Sequence, residues 1–135
     1  MSAPLTRPDT DYLLTAYTEE VPDVRHAIAV SVDGLLISHS AGPPRAHPDG
    51  LAAVAAGLAS LTHSVAAFLH TGTVRQHIID TDNGFVIVMS LGARGNLLAV
   101  TRPDADMGHV GYTLGLLADR VGAVLDPDQR VRQMP

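Results

Sequence analysis

The sequence has no cysteine and no tryptophan, and it has only 2 phenylalanines and 3 tyrosines among 135 residues. Without cysteine there can be no disulfide, thiol nucleophile or Cys-based metal site. So few aromatic side chains leave little with which to stack nucleic-acid bases. Charge is sparse as well. Charged residues make up 17% of the chain, and its 9 basic residues are scattered within a formal net charge of −5. A nucleic-acid partner needs a basic stripe, so we expect none.

Recognisable catalytic motifs are also missing. The sequence lacks G-x-x-x-x-G-K-[ST], G-x-S-x-G and H-E-x-x-H, which mark phosphate loops, nucleophile elbows and zinc helices. Ser38 and His39 are neighbours on a predicted strand, so their side chains point to opposite faces. His63 and His70 are about 10 Å apart along a predicted helix, too far to share one metal easily. We therefore predict a protein that is not an enzyme and has no cofactor or metal site.

Three arginines are candidates for an arginine finger offered to another protein's phosphate site. They are Arg75, Arg94 and Arg102, all near the ends of predicted strands. The simpler interpretation is that each is a solvated surface charge.

The chain has the length of one domain. We expect a flexible N-terminus over residues 1–8, a single domain over 9–125 and a flexible C-terminal tail over 126–135. The first residues lack the apolar core of a signal peptide, which predicts a cytoplasmic protein.

The longest uncharged run follows Asp49 and predicts a central helix from Pro48 to His70. At helical spacing it has two apolar stripes and no Lys- or Glu-rich side. The stripe of mostly larger residues, which we expect on a sheet, is Leu51, Val54, Ala55, Leu58, Leu61, Thr62, Val65, Phe68 and Leu69. The small-residue stripe, which we expect against another helix, is Ala53, Ala56, Gly57, Ser60, His63, Ser64 and Ala67. The pattern favours a helix shared by two subunits over an ordinary core helix. A membrane span is disfavoured because the small residues dominate and no Lys/Arg cluster flanks them.

The rest of the chain predicts two more helices and five strands. The helices are expected from Asp9 or Thr10 to about Val21 and over Met107–Leu125. The strands are expected over Val24–Val32, Leu35–His39, Val74–Asp80, Phe85–Leu91 and Leu97–Thr101, with turns at Asp33-Gly34 and Asp82-Asn83-Gly84. The order α-β-β-α-β-β-β-α predicts an α+β fold, an α/β sandwich with a five-stranded antiparallel sheet.

Three stretches together resemble the roadblock / dynein light chain domain, in the bacterial branch associated with Ras-like GTPases. They are VRHAIAVSVDGLLISHS, LAAVAAGLASLTHSVAAFL and GFVIVMSLGARGNLLAV before a final helix. The resemblance covers about Asp9 to Leu125. The alanine content and the DGL hairpin look most like conservon members, which are encoded beside a histidine-kinase-like sensor and a small GTPase.

This resemblance implies a profilin-like architecture and a homodimer. In such dimers the central helices pair, and the third strands join the two sheets. It also implies a non-enzymatic regulator or scaffold of a Ras-like small GTPase, in a signalling assembly with a sensor-histidine-kinase-like protein. We expect the dimer interface to combine the small-residue stripe with Val74, Gln76 and Ile78. The alternatives are a profilin- or PAS-like ligand-sensing domain, which needs an aromatic-lined pocket, and, less favoured, a small hydrolase.

Overall fold

The computed structural model describes the backbone of residues 3–41 and 47–125 and the side chains of residues 9–41 and 47–125. The elements are α1 (Ala3–Glu20), β1 (Val24–Val30), β2 (Leu36–His39), α2 (Pro48–Leu69), β3 (Gln76–Thr81), β4 (Gly84–Ser90), β5 (Asn96–Thr101) and α3 (Met107–Leu125). The predicted element order and the α+β class are confirmed.

The five strands form one antiparallel sheet in the order β2-β1-β5-β4-β3. Helices cover both faces. On one face, Leu97 of β5 packs in a buried cluster with Leu14 of α1 and Leu114 of α3. On the other, Leu98 packs with Ala55 of α2. Because successive strand residues point to opposite faces, an apolar run along β5 fills both layers of the core.

The β1–β2 turn differs from the predicted two-residue turn at Asp33-Gly34. The loop has three residues, Val32 to Gly34, because Ser31 N donates to Leu35 O at 2.8 Å and Gly34 N to Ser31 O at 3.1 Å. Gly34 has a φ of +87°, which is the left-handed glycine that closes a three-residue hairpin.

The β3–β4 hairpin turns at Asp82-Asn83, with Thr81 paired to Gly84. Gly84 therefore belongs to the strand, and the predicted turn, Asp82-Asn83-Gly84, extended one residue too far. A glycine is required there for another reason, since an added Cβ would lie 2.1 Å from the carbonyl oxygen of Thr101. β3 also begins at Gln76 rather than at Val74.

The first helix begins at Ala3, earlier than the predicted Asp9 or Thr10, and its backbone continues through Pro8. Proline lacks an amide hydrogen and is normally tolerated only in the first turn of a helix. For that reason the sequence predicted a helix that starts after Pro8. The domain limits and the flexible N-terminus stay predictions. The proposed tail over 126–135 and part of the predicted loop, residues 42–46, lie outside the described residues.

The largest correction concerns the faces of α2. Small side chains, Ala52, Ala55 and Ala66, are the ones buried on this helix. The larger residues Val54, Leu61, Val65, Phe68 and Leu69, expected on the sheet, are 54–84% exposed. The prediction is confirmed for Leu51, Ala55 and Leu58 of the same stripe, which pack against a cluster that includes Val88 of the sheet.

Candidate functional site: an uncovered helix face beside an open strand edge

The outward face of α2 is mostly apolar and carries no Asp, Glu, Lys or Arg. Phe68 is 84% exposed, Leu61 69% and Val65 54%. The predicted small-residue stripe is exposed with them, except for the half-buried Ala56. A contiguous exposed apolar patch of this kind marks an interaction surface. We call this surface, from Ala53 to Leu69, the outer face of α2.

The outer face has two halves with different neighbours. The small-residue half faces β3, because Ala56, Ser60 and His63 line one groove together with Val74 and His77. This groove has a volume of about 310 Å³. The larger side chains lie on the adjacent half, turned away from the groove. The structure thus brings four predicted interface residues together, namely Ala56, Ser60, His63 and Val74.

Four more of the predicted residues, Ala53, Gly57, Ser64 and Ala67, are exposed on α2 outside the groove. The last two, Gln76 and Ile78, lie on β3, which is an edge strand. Arg75 O accepts a hydrogen bond from Ser90 N at 2.9 Å. Backbone groups of an antiparallel strand alternate in direction, so those of Gln76, Ile78 and Asp80 point to the open edge. β3 carries no Lys or Pro, the usual guards against strand pairing. Ile78 is also 55% exposed.

The length and composition of α2 would allow it to cross a membrane, with a mean hydropathy of 1.6 and 17% of its apolar window buried. Contacts within the fold argue for another arrangement. Ala52 and Ala55 are fully buried on the sheet, and the Thr62 hydroxyl is hydrogen-bonded to the His77 ring of β3. The helix therefore lies flat on the sheet, and its outer face is left uncovered in a single copy of the chain.

The three arginine-finger candidates have different surroundings. Arg102 Nη2 donates to Asp23 Oδ1 at 2.7 Å, so its guanidinium is engaged within the fold. Arg94 Nη1 donates to Leu91 O at 3.5 Å. Arg75 is exposed and borders the groove.

No catalytic arrangement forms around the other predicted candidates. Ser38 is 1% exposed, whereas the neighbouring His39 is exposed and its Nδ1 lies 2.9 Å from Ser40 O. Within the described part of the chain, no group of three or more His, Asp or Glu side chains is placed to hold a metal ion.

Sequence reasoning missed the exposure of the larger residues of α2. One signal was available, because the helix has no polar stripe on either side. The sequence could show that both sides need cover, but it could not show which side lies on the sheet.

Comparisons with known proteins agree with this architecture. The Roadblock/LC7 domain model matches residues 10–101. A crystal structure of a Roadblock/LC7 domain from Streptomyces avermitilis has 31% identity and a TM-score of 0.78, over 85% of this chain and 96% of that one. Myxococcus xanthus MglB has 16% identity and a TM-score of 0.81, over 90% of each chain. Gliding protein MglB from Thermus thermophilus has 19% identity and a TM-score of 0.76, over 88% of this chain and 90% of that one. No curated protein matches the sequence. Because the family model matches most of the chain and a solved relative is 31% identical to it, the chain belongs to the Roadblock/LC7 domain family.

Proposed function

We propose that this chain is a homodimeric, non-enzymatic regulator or scaffold of a Ras-like small GTPase in a bacterial signalling assembly. The observation that carries the proposal is the continuity of the outer face of α2 with the open edge of β3. A single copy exposes both. An exposed apolar helix and an unguarded strand edge are liabilities that a partner removes.

A second copy fits the half of this surface nearest β3. Pairing β3 with the partner's β3 would join two five-stranded sheets and place the two α2 helices side by side above the junction. Gly57 and Ser64 are exposed on this side of α2. Side chains this small let two helix backbones approach closely.

The half with larger side chains is the surface that we assign to the GTPase. Leu61, Val65 and Phe68 point away from the β3 groove and stay uncovered when the small-residue half is paired. Family membership supports a GTPase partner, as the sequence resemblance implied. Regulation requires the dimer to prefer one nucleotide state, because a partner that binds both states equally shifts no equilibrium. The sensor-kinase-like protein and the cytoplasmic location are further parts of this proposal.

The test is affinity capture from lysate of the source cells with the wild-type chain as bait, in GDP or in a non-hydrolysable GTP analogue. Phe68→Asp is the variant, and Tyr112→Asp is its control. Tyr112 is 68% exposed on α3, on the opposite side of the sheet. We expect the wild type and the control to retain a Ras-like GTPase, more in one nucleotide state, and Phe68→Asp to lose it. Equal loss from both variants, or no GTPase with the wild type, would contradict the assignment.

A further inference from the structure

The edge of β3 carries a pattern of side chains that restricts how two copies can pair. Gln76, Ile78 and Asp80 have backbone groups directed outward, and they face the same side of the sheet as Met89 and Ile87 of β4. Along this side the edge therefore presents an amide, an apolar side chain and a carboxylate at equal spacing. An antiparallel copy presents the same three side chains in the opposite order. Centred on the apolar side chain, the two copies therefore set each amide opposite a carboxylate.

From this pattern we infer that the two-fold axis of the homodimer passes through the pair formed by Ile78 and its copy. The inference rests on the proposed dimer and adds its register. In an antiparallel pairing centred there, Ile78 faces the partner's Ile78 and Gln76 faces the partner's Asp80. The Gln76 amide donates to that carboxylate, and this contact occurs twice, whereas the Ile78 pair on the axis occurs once. On the α2 side of the sheet, His77 faces the partner's Ile79.

The neighbouring registers are worse for identifiable reasons. An axis through Asp80 sets two carboxylates against each other, and like charges directly opposite destabilise a sheet. An axis through Ile79 places Ile78 against the partner's Asp80. An axis through His77 sets two imidazoles side by side and leaves Asp80 beyond the end of the partner strand. The Ile78 register alone covers the exposed apolar side chain and gives both carboxylates a donor.

Local geometry makes this register testable with thiols. Opposed residues of a hydrogen-bonded antiparallel pair have Cα atoms about 5.5 Å apart, which is within the usual range of a disulfide. A residue on the axis can link to its own copy. A residue two positions away lies about 13 Å from its copy along the strands, at roughly 3.3 Å per residue. The chain has no cysteine, so each introduced thiol is unique.

The experiment uses the full chain with single substitutions Ile78→Cys, Gln76→Cys and Asp80→Cys, and Tyr112→Cys as an exposed control on α3. Each is oxidised under mild conditions and its covalent dimer is quantified, while sedimentation measures association of the reduced protein. We expect Ile78→Cys to link several-fold more than the other three. An equimolar mixture of Gln76→Cys and Asp80→Cys should link far more than either alone.

The possible outcomes separate the register from the dimer itself. Strongest linking of Gln76→Cys or Asp80→Cys alone would overturn the register and leave the dimer standing. A dimer by sedimentation in which none of the strand variants links would also overturn it, because association would then use another surface. A monomer by sedimentation in the wild type would overturn the dimer and the register together.

Discussion

The carboxylate of Asp23 lies 2.7 Å from the guanidinium of Arg102, and this ion pair joins the start of β1 to the chain leaving β5. The second carboxylate oxygen accepts a hydrogen bond from the backbone N–H of Asp106 at 3.0 Å, just before α3. One side chain thus ties two central strands to the last helix. It also engages the guanidinium of Arg102, one of the three arginine-finger candidates, within the fold.

The same contacts predict how stability depends on pH. The hydrogen bond from the Asp106 backbone, followed by that from Arg102, lowers the pKa of the Asp23 carboxyl from its ordinary value. A carboxyl whose pKa is lower in the folded protein stabilises it above the unfolded-state pKa, about 3.9. That contribution is lost as the pH falls through the folded-state pKa. We expect Asp23→Asn to be less stable than wild type in urea at pH 7, and the difference to shrink toward pH 2. A constant difference across this range would contradict the account.

Gly95 is expected to be intolerant of any side chain. It has a φ of +136°, and an added Cβ would lie 1.8 Å from Val30 O. We expect Gly95→Ala to lower the free energy of unfolding by at least about 2 kcal/mol, since strained backbone alone costs about 1–3 kcal/mol. Gly111→Ala is the control. Nothing lies within 4 Å of its Cβ position in α3, so it should gain up to about 1 kcal/mol of helix propensity. Denaturant unfolding of both variants checks the pair.

The hydroxyl of Thr62 connects the second half of α2 to β3 through the His77 ring. Thr62→Val keeps the shape and removes the hydroxyl, leaving a partly buried imidazole nitrogen without its partner. We expect a loss of about 1–2 kcal/mol, within the range for an unsatisfied buried group. Thr62→Ser, which keeps the hydroxyl, should recover most of it. If both variants unfold at the same denaturant concentration, the contact does not stabilise the fold.

The five strands and their order along the chain were predictable because local signals agreed. Apolar runs separated by Gly-containing turns defined five strands, and the last three could only form a meander. The turn positions were harder to place. Gly34 closes a longer loop than its Asp-Gly pair suggests, and Gly84 is required by the nearby Thr101 carbonyl. That second requirement comes from a residue distant in sequence.

The orientation of α2 could be read only in part from its residues, since Leu51, Ala55 and Leu58 of the predicted stripe do lie on the sheet. Hydrophobic periodicity identifies the buried face of a helix by the contrast between apolar and polar positions. In α2 this contrast is almost absent. The assumption that larger side chains fill the core then failed at Leu61 and Phe68. The small-residue stripe was recognised, but its place beside the β3 edge depends on the strand order. In that order β3, third in sequence, lies at the edge of the sheet.

The measurement that tests the central claim most directly is sedimentation equilibrium of the wild type beside Gly57→Leu and Tyr112→Asp. Gly57 lies on the outer face of α2 with nothing inside 4 Å of its Cβ position, whereas Tyr112 is 68% exposed on α3, on the opposite side of the sheet. We expect a wild-type dimer, a Tyr112→Asp dimer of similar affinity, and a Kd raised about tenfold or more, roughly 1.4 kcal/mol, by Gly57→Leu. A monomeric wild type, or an equal effect of the two substitutions, would contradict the assignment of this surface as the subunit interface.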